Sequence, residues 1–412
     1  LGVPPGPAIQ TAMRERWQPP ETVADEASIK AIIESASAAV SAGAGEAGVQ
    51  ALHTAVRLAD GVQDADLRIG TRLLLAEALI HSIGGLDEQG LATLSEADRM
   101  AQSHDDRDAM ARARAEIGYV DFLRGRYDRA ERWLTDALAC GQHGAAVTAK
   151  ATTYLGAVAS DRAIYPRAVS LLEDAITLSR RTGDLRREAY GLAMLGRVSL
   201  LRGRLDSAAS QLDDSITLAE RDHWLWFLPW PQALRGEVHL ACNAPGAATE
   251  VLTQAFARAC QFGDPCWEGM SARGLAQVAE ATGATDRAFE LLADARTRCN
   301  RLTDTYVWLD VHILDAQCEL GRRHGHPQTE DWVDTMRKLA SRSGMRELTV
   351  RSMLHAAALG NEGDAASAVL LGASIENPVL SQLLRQLPDL PQPGPLPLLS
   401  GAERRKRPSH QN

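Results

Sequence analysis

The segment His223–Trp230 concentrates side chains that could bind a ligand. Its sequence, His-Trp-Leu-Trp-Phe-Leu-Pro-Trp, holds three of the eight tryptophans and one phenylalanine. Trp224, Trp226 and Phe227 offer large apolar rings, and tryptophan adds a polar N–H, so they could form a platform for a peptide or a small ligand. Alternatively, the rings fill an irregular seam between two structural units, and Pro229 begins the next helix. The sequence leaves both interpretations open.

Residues for catalysis or metal binding form no recognisable pattern. The sequence contains no Gly-x-x-x-x-Gly-Lys phosphate loop, no His-Glu-x-x-His helix and no Gly-x-Ser-x-Gly elbow. Cys318, His324, His326 and Asp331 lie close together in the chain, but their spacing matches no standard zinc pattern, and a solvated loop is predicted there. We therefore predict a protein that is not an enzyme and that needs neither a metal nor another cofactor.

Charge and composition exclude two classes of partner. The chain has a net charge of -9 and a pI near 5.7, whereas binding to a nucleic-acid backbone needs a clustered basic field. The sequence contains no apolar run long enough to cross a membrane, and its six cysteines form no Cys-x-x-Cys pair. We expect a cytoplasmic protein with reduced thiols that binds neither DNA nor a membrane.

An internal repeat organises the chain, which at 412 residues is longer than one compact domain usually is. Residues 123–130 read Leu-Arg-Gly-Arg-Tyr-Asp-Arg-Ala, and residues 201–208 read Leu-Arg-Gly-Arg-Leu-Asp-Ser-Ala. In each copy, a glycine closes one helix and the aspartate lies in the first turn of the next. Alignment of the preceding helices gives a small anchor residue every 38 to 40 residues, at Ala78, Gly118, Gly156, Gly196, Gly236, Ala276, Ala316 and Ala356.

The helix that follows each anchor has its own pattern. In the five central units, Ala, Leu and a second small residue stand 12, 16 and 19 positions beyond the anchor. In the unit of Gly196 these are Ala208, Leu212 and Ser215, and Ser215 is the one exception to a second alanine. Small residues let two helix backbones approach closely, and the leucine is expected to fill the gap between neighbouring pairs.

These features resemble the tetratricopeptide repeat, lengthened to about 40 residues; Leu155-Gly156 and Leu195-Gly196 match the family's Leu-Gly pair. The resemblance implies an all-α, right-handed superhelical solenoid of helix pairs, and HEAT or armadillo pairs are the alternative. We predict an N-terminal extended segment at 1–25, an array of eight or nine units at 26–375, and a proline-rich linker with a basic tail at 376–412. One unit is irregular, with a helix at Thr305–Leu320 and a long loop at Gly321–Pro327.

The tetratricopeptide resemblance also implies a binding groove. In that family the first helix of each pair lines the inner face, so positions six and three before the anchor, and one and four after it, point inward. The asparagine and lysine clamp of chaperone-binding members is missing, because Ala115, Tyr119, Thr153 and Ala157 stand in its place. The mixed aromatic and cationic stripe would suit an extended acidic peptide, or it is simply a solvated face. The predicted groove residues are Arg112, Tyr119, Phe122, Lys150, Thr153, Tyr190, Arg197, Trp230, Glu237, Arg273 and Gln277.

Long repeats of this kind resemble the sensor arrays of large bacterial transcriptional activators, of the LuxR or maltose-activator type and of the antibiotic-regulator type. Leu1–Pro7 is similar to the exit segment of a bacterial transcriptional-activation domain, and Leu399–Arg404 to the opening of a LuxR-type helix-turn-helix. The resemblance implies a sensor and oligomerisation module that binds a protein, a peptide or a small effector, with further domains on either side. The alternatives are a free-standing adaptor, or scaffold, and an array that assists an enzyme.

Overall fold

The computed structural model describes residues 25–82, 87–141, 144–301 and 306–387, and within these ranges it contains helices and no strand. The predicted segment 1–25, apart from its last residue, and the tail beyond residue 387 lie outside the described residues. Nineteen helices are described. They are α1 (Glu26–Ser41), α2 (Gly45–Asp60), α3 (Ala65–Ser82), α4 (Asp87–Ser103), α5 (Arg107–Leu123), α6 (Tyr127–Ala139), α7 (Ala145–Asp161), α8 (Tyr165–Thr182), α9 (Leu185–Leu201), α10 (Leu205–Arg221), α11 (Pro229–Ala241), α12 (Pro245–Phe262), α13 (Pro265–Ala281), α14 (Thr285–Cys299), α15 (Val307–His324), α16 (Thr329–Ser343), α17 (Arg346–Ala358), α18 (Glu362–Gly372) and α19 (Pro378–Arg385).

The helices form nine antiparallel pairs that stack into a tetratricopeptide-like solenoid, and α19 follows the last pair. The odd-numbered helices of successive pairs contact one another and therefore make the inner layer. The predicted glycine turns are confirmed: Gly125 and Gly203 adopt φ values of 65° and 70°, in the left-handed region that favours glycine. None of the described helices is both long and apolar enough to span a bilayer.

The anchor glycines set the spacing of the two helices in a pair. A Cβ atom placed on Gly196 would lie 2.8 Å from Cγ of the fully buried Leu212, so no larger residue fits without displacement. Leu252 also reaches a neighbouring pair, because Cβ atoms on Gly236 and Gly274 would lie 2.4 and 2.5 Å from its side chain. The leucine thus packs on the glycine of its own pair, and in this unit it also fills the gap predicted between pairs.

The solenoid winds far enough for distant units to touch. Near one end, Arg186 Nη2 donates to Ser41 Oγ over 3.1 Å, and a Cβ on Gly43 would lie 2.7 Å from Cε1 of Phe262. Near the other end, the Tyr165 hydroxyl donates to Glu347 Oε2 over 2.5 Å. The two hydrogen bonds join residues 145 and 182 positions apart in the chain. The inner face, for which a binding groove was predicted, is therefore divided into separate cavities.

Two predicted boundaries are wrong. The array does not end at residue 375, because α19 follows at Pro378–Arg385 with Leu380 fully buried, and Asn377 Nδ2 donates to the carbonyl of Leu201 over 3.1 Å. The long loop predicted from Gly321 begins later, since α15 continues to His324 and ends at Gly325 with φ 64°. In both places tertiary packing extends helices beyond what the repeat pattern indicates.

Candidate ligand-binding chamber

A buried polar cluster crosses the centre of the superhelix. Arg197 donates to Asp161 Oδ1 over 2.5 Å and to the Tyr306 hydroxyl over 2.7 Å, and its guanidinium lies 4.3 Å from the ring centroid of Trp308. The hydroxyls of Tyr306 and Tyr127 each donate to Asp161 Oδ2 over 3.0 Å. Burial raises the pKa of Asp161, and Arg197 opposes that rise. We call this set of five residues the central partition, because it fills the middle of the inner face.

On the N-terminal side of the central partition lies a cavity of about 300 Å³. Residues of α1, α3, α5, α7, α9 and α13, and of the segment that precedes α11, line it. We call it the aromatic chamber, after its ring-bearing residues. These are His81, Tyr119, Tyr154, Tyr190, Trp224, Trp226, Phe227 and Trp267. Its charged lining residues are Glu77, Lys150, Arg186 and Arg187.

The rings of the aromatic chamber hold one another in place. His81, Tyr119 and Tyr154 form a stacked column with centroid separations of 4.8 and 4.5 Å. Trp224 and Phe227 stack almost in parallel, at 4.2 Å and 5°. Such contacts add to the stabilisation from burial and fix the orientation of each ring. The chamber is therefore preformed, as ligand sites usually are.

One wall of the chamber carries a neutralised cation. Lys150 Nζ lies 2.5 Å from Oε1 of the fully buried Glu116 and 3.0 Å from Glu77 Oε1, and His81 Nε2 lies 2.8 Å from Glu116 Oε2. Burial by itself would raise the pKa of Glu116, but Lys150 and His81 outweigh it, so that pKa is lowered. Burial likewise opposes the charge of Lys150, yet Glu116 and Glu77 keep its pKa raised. The polar groups of this wall are therefore paired with one another.

The neighbouring helix α9 contributes two consecutive arginines to the lining. Arg186 Nε donates to Asp222 Oδ2 over 2.5 Å, and its guanidinium lies 5.7 Å from the ring centroid of Trp224. The guanidinium of Arg187 lies 5.4 and 5.9 Å from the ring centroids of Tyr154 and Tyr190. Burial opposes its charge, but the electrostatic effect of the Tyr154 hydroxyl is among those that leave the pKa of Arg187 raised. It therefore stays cationic at any physiological pH.

The structure distributes the predicted groove residues over several environments. Three of them, Tyr119, Lys150 and Tyr190, line the aromatic chamber together with Trp224, Trp226 and Phe227 of the aromatic segment. Tyr119, Phe122, Tyr190, Trp226 and Trp230 also surround a void of about 60 Å³ against the chamber. Arg197 belongs to the central partition and, at 1% exposure, cannot line an open groove. Thr153 is buried as well and donates to the Ala149 carbonyl, whereas Arg112 is half-buried and lines none of the cavities described here.

The rings of the aromatic segment before α11 fall into two groups. Phe227 and Trp230 are 2% exposed and pack as core, and α11 begins at Pro229 as expected. Trp224 and Trp226 are half-buried and face the chamber. Because the segment contains turns where a regular helix start would be, it projects its rings in different directions.

A second cavity of about 490 Å³ lies towards the C-terminal end, and the predicted residues Arg273 and Gln277 line it. Several of its charged groups are paired: Arg273 donates to Glu237 over 2.7 Å, and Arg351 donates to Asp315 over 2.8 Å. His355 Nε2 lies 2.9 Å from the same Asp315. The cavity thus offers few unsatisfied polar groups to a ligand.

Sequence reasoning missed Arg187 and Trp267, although a signal for them exists. Arg187, Phe227 and Trp267 each stand nine residues before the anchors Gly196, Gly236 and Ala276. The groove rule stopped at six residues before the anchor, which is almost one helical turn too short. An extension of the inner stripe by one turn would have included all three.

Comparisons with known proteins identify the fold. No protein-family model matches the sequence, and no curated protein matches it either. Among solved structures, a Rap protein complexed with Competence and Sporulation Factor has a TM-score of 0.59 at 10% identity, over 86% of this chain and 99% of that one. NprR in complex with its cognate peptide NprX has a TM-score of 0.58 at 10% identity, over 76% and 91%. The Rap conjugation gene regulator of plasmid pLS20 in complex with the Phr* peptide has a TM-score of 0.50 at 11% identity, over 87% and 93%.

Proposed function

We propose that this chain is a sensor module that binds a peptide or a small effector in the aromatic chamber. The observation that carries the proposal is a preformed cavity of about 300 Å³ in which stacked rings surround a few charged groups. Ligand sites combine an apolar, aromatic lining with a few convergent polar groups in this way. The three similar solenoids were each solved with a bound factor or peptide, which supports a ligand of that kind here.

The chamber is well placed to report on its ligand. Helices α1, α3, α5, α7, α9 and α13 contribute to its lining, so one bound molecule would touch units from the N-terminal end to beyond the centre of the array. Binding free energy would therefore stabilise the arrangement in which α1 and α9 meet through Ser41 and Arg186. A ligand-dependent rigidity of the array is the signal that neighbouring domains would receive.

The wider role we propose is that of a sensor and oligomerisation part of a bacterial transcriptional regulator in the cytoplasm. The support comes from Leu1–Pro7 and Leu399–Arg404, which resemble the borders of such arrays. In this proposal the chain is not an enzyme and contacts DNA only through other domains. The coding sequence on both sides provides the test: an in-frame helix-turn-helix or phosphate-loop domain supports the regulator. A start codon near residue 1 together with a stop codon after residue 412 would favour a free-standing adaptor.

Ligand binding itself is tested with an immobilised protein and a random pentapeptide library. The wild-type protein should retain a defined subset of peptides, which are identified by mass spectrometry and whose dissociation constants are then measured by calorimetry. Trp226→Ala should weaken their binding by at least tenfold, because Trp226 faces the chamber. Trp332→Ala is the matched control, since Trp332 is also half-buried but stacks on His326 outside the chamber. Equal losses in both variants would refute the proposed site, and the absence of any retained peptide would refute a peptide as its ligand.

A further inference from the structure

We infer that the ligand of the aromatic chamber carries a carboxylate that pairs with Arg187, while an apolar part of the ligand contacts the surrounding rings. This inference rests on the proposed function, since it names the ligand class of that same chamber. It depends on three observations: no carboxylate of the described residues lies within ion-pair distance of Arg187, the other cations of the chamber have such a partner, and the position of Arg187 is fixed.

Arg187 is the cation without a counterion. No carboxylate of the described residues lies within 4.0 Å of its guanidinium, and its Nε is buried without a hydrogen-bond partner in that part of the chain. Its guanidinium lies over the rings of Tyr154 and Tyr190. The side chain is half-buried, and partial burial of a cation without a close partner is costly, because the ring faces, the Tyr154 hydroxyl and the more distant carboxylates of Glu116 and Asp184 replace only part of its lost hydration. An anionic ligand would remove that cost.

The remaining cations of the chamber are already neutralised. Lys150 is held by Glu116 and Glu77, and Arg186 is held by Asp222. A ligand carboxylate that approached Lys150 would compete with two carboxylates already in place. Arg187 forms no ion pair with a described residue, so a carboxylate would find the N–H donors of its planar fork beside the Tyr154 hydroxyl, and that fork suits two parallel hydrogen bonds to one carboxylate. The geometry therefore directs the anionic group to a single residue.

The backbone holds Arg187 in position. Its N–H donates over 3.0 Å to the side chain of Asp184, which caps the N-terminus of α9. The residue thus lies in the first turn of a 17-residue helix, where the partial positive charge of the helix end also favours an anion. The cap, the helix end and the two rings together limit the guanidinium to the chamber side of α9.

Two sources of carboxylate are distinguished by the choice of peptides. Pentapeptides retained by the wild-type protein are resynthesised with a free C-terminus and with a C-terminal amide, and each form is made with Asp and Glu or with Asn and Gln in their place. Preference for the free C-terminus identifies a terminal carboxylate, and preference for the acidic residues identifies a side-chain carboxylate. Either preference supports the inference. Equal binding of the neutral amidated forms would overturn it.

Variants of α9 complete the test. Arg187→Gln should lower the affinity for the preferred carboxylate form by at least tenfold and abolish the difference between charged and neutral forms, whereas Arg187→Lys should keep part of it. Arg202→Gln is the matched control, because Arg202 lies at the other end of α9, with its guanidinium 5.9 Å from the ring centroid of Tyr165, and lines none of the described cavities; it should preserve both the affinity and the preference. Circular dichroism verifies folding of each variant. If the wild-type protein retains no peptide, the peptide ligand of the proposed function fails together with the carboxylate inference; if peptides bind without regard to charge, only the carboxylate inference fails.

Discussion

Replacement of Asp161 by leucine should be among the most damaging single changes in this protein. Asp161 accepts hydrogen bonds from Arg197, Tyr306 and Tyr127 at the centre of the superhelix, and Arg197 is 1% exposed. Loss of the carboxylate leaves a buried guanidinium without its counterion, which costs about 3–5 kcal/mol of unfolding free energy. Because 1.4 kcal/mol corresponds to a factor of ten, the folding equilibrium should shift by roughly two to nearly four orders of magnitude.

The double variant separates the charge effect from the loss of packing. Arg197→Met together with Asp161→Leu removes both charges and keeps most of the side-chain volume. The double variant should therefore lose much less unfolding free energy than the two single variants lose in sum. Urea unfolding, followed by circular dichroism, gives all four free energies. The exposed pair of Arg287 and Glu290, at 2.8 Å, is the control, and Arg287→Met should cost less than about 1 kcal/mol. If Asp161→Leu costs no more than this control, or if the single costs simply add, the role assigned to the central partition is refuted.

Three other outcomes are expected. Burial and Arg273 lower the pKa of His312 from 6.5 to about 4. The unfolded chain therefore binds a proton that the folded protein does not, and folding stability should fall as the pH decreases from about 6.5 through 4. His312→Gln should reduce that loss of stability, measured by urea titration, by up to about 3 kcal/mol. Gly196→Ala should lower the free energy of unfolding by about 1–3 kcal/mol, because the clash with Leu212 of α10 outweighs the gain in helix propensity. Gly70→Ala, whose new Cβ would have nothing within 4 Å, should leave the free energy of unfolding unchanged or raise it in the same assay. Glu347→Ala removes the acceptor of the Tyr165 hydroxyl and should increase amide hydrogen exchange in α17–α19; unchanged exchange would contradict the role of that contact.

The sequence predicted the helix pairs because the contact that forms each pair is local. Gly196 and Leu212 are 16 positions apart, and the same distance separates their equivalents in other units, so one-dimensional periodicity reports the packing directly. The boundary at residue 375 could not be found in this way. Asn377 packs against Leu201, 176 positions earlier, and no repeat pattern encodes such a contact.

The chamber was predictable only in part, for a related reason. Tyr119, Lys150 and Tyr190 follow from the inner stripe of the first helices. The environment of Arg197 does not, because its partner Tyr306 comes from a unit 109 positions away. An arginine on an inner stripe has the same appearance in the sequence whether it faces solvent or a distant tyrosine. The curvature of the array determines which of these two environments the arginine has, and that curvature is the sum of many small rotations between successive units.

Closure of the superhelix has a consequence for how the chain folds. An open repeat array interacts mainly between nearest neighbours, so folding can begin in any unit and the ends can unravel separately. Here the pairings of Ser41 with Arg186 and of Tyr165 with Glu347 close loops of 145 and 182 residues. Such contacts raise the contact order, which slows folding, and they couple the end units to the middle of the chain. We therefore expect a single cooperative unfolding transition where an open solenoid would lose its units one after another.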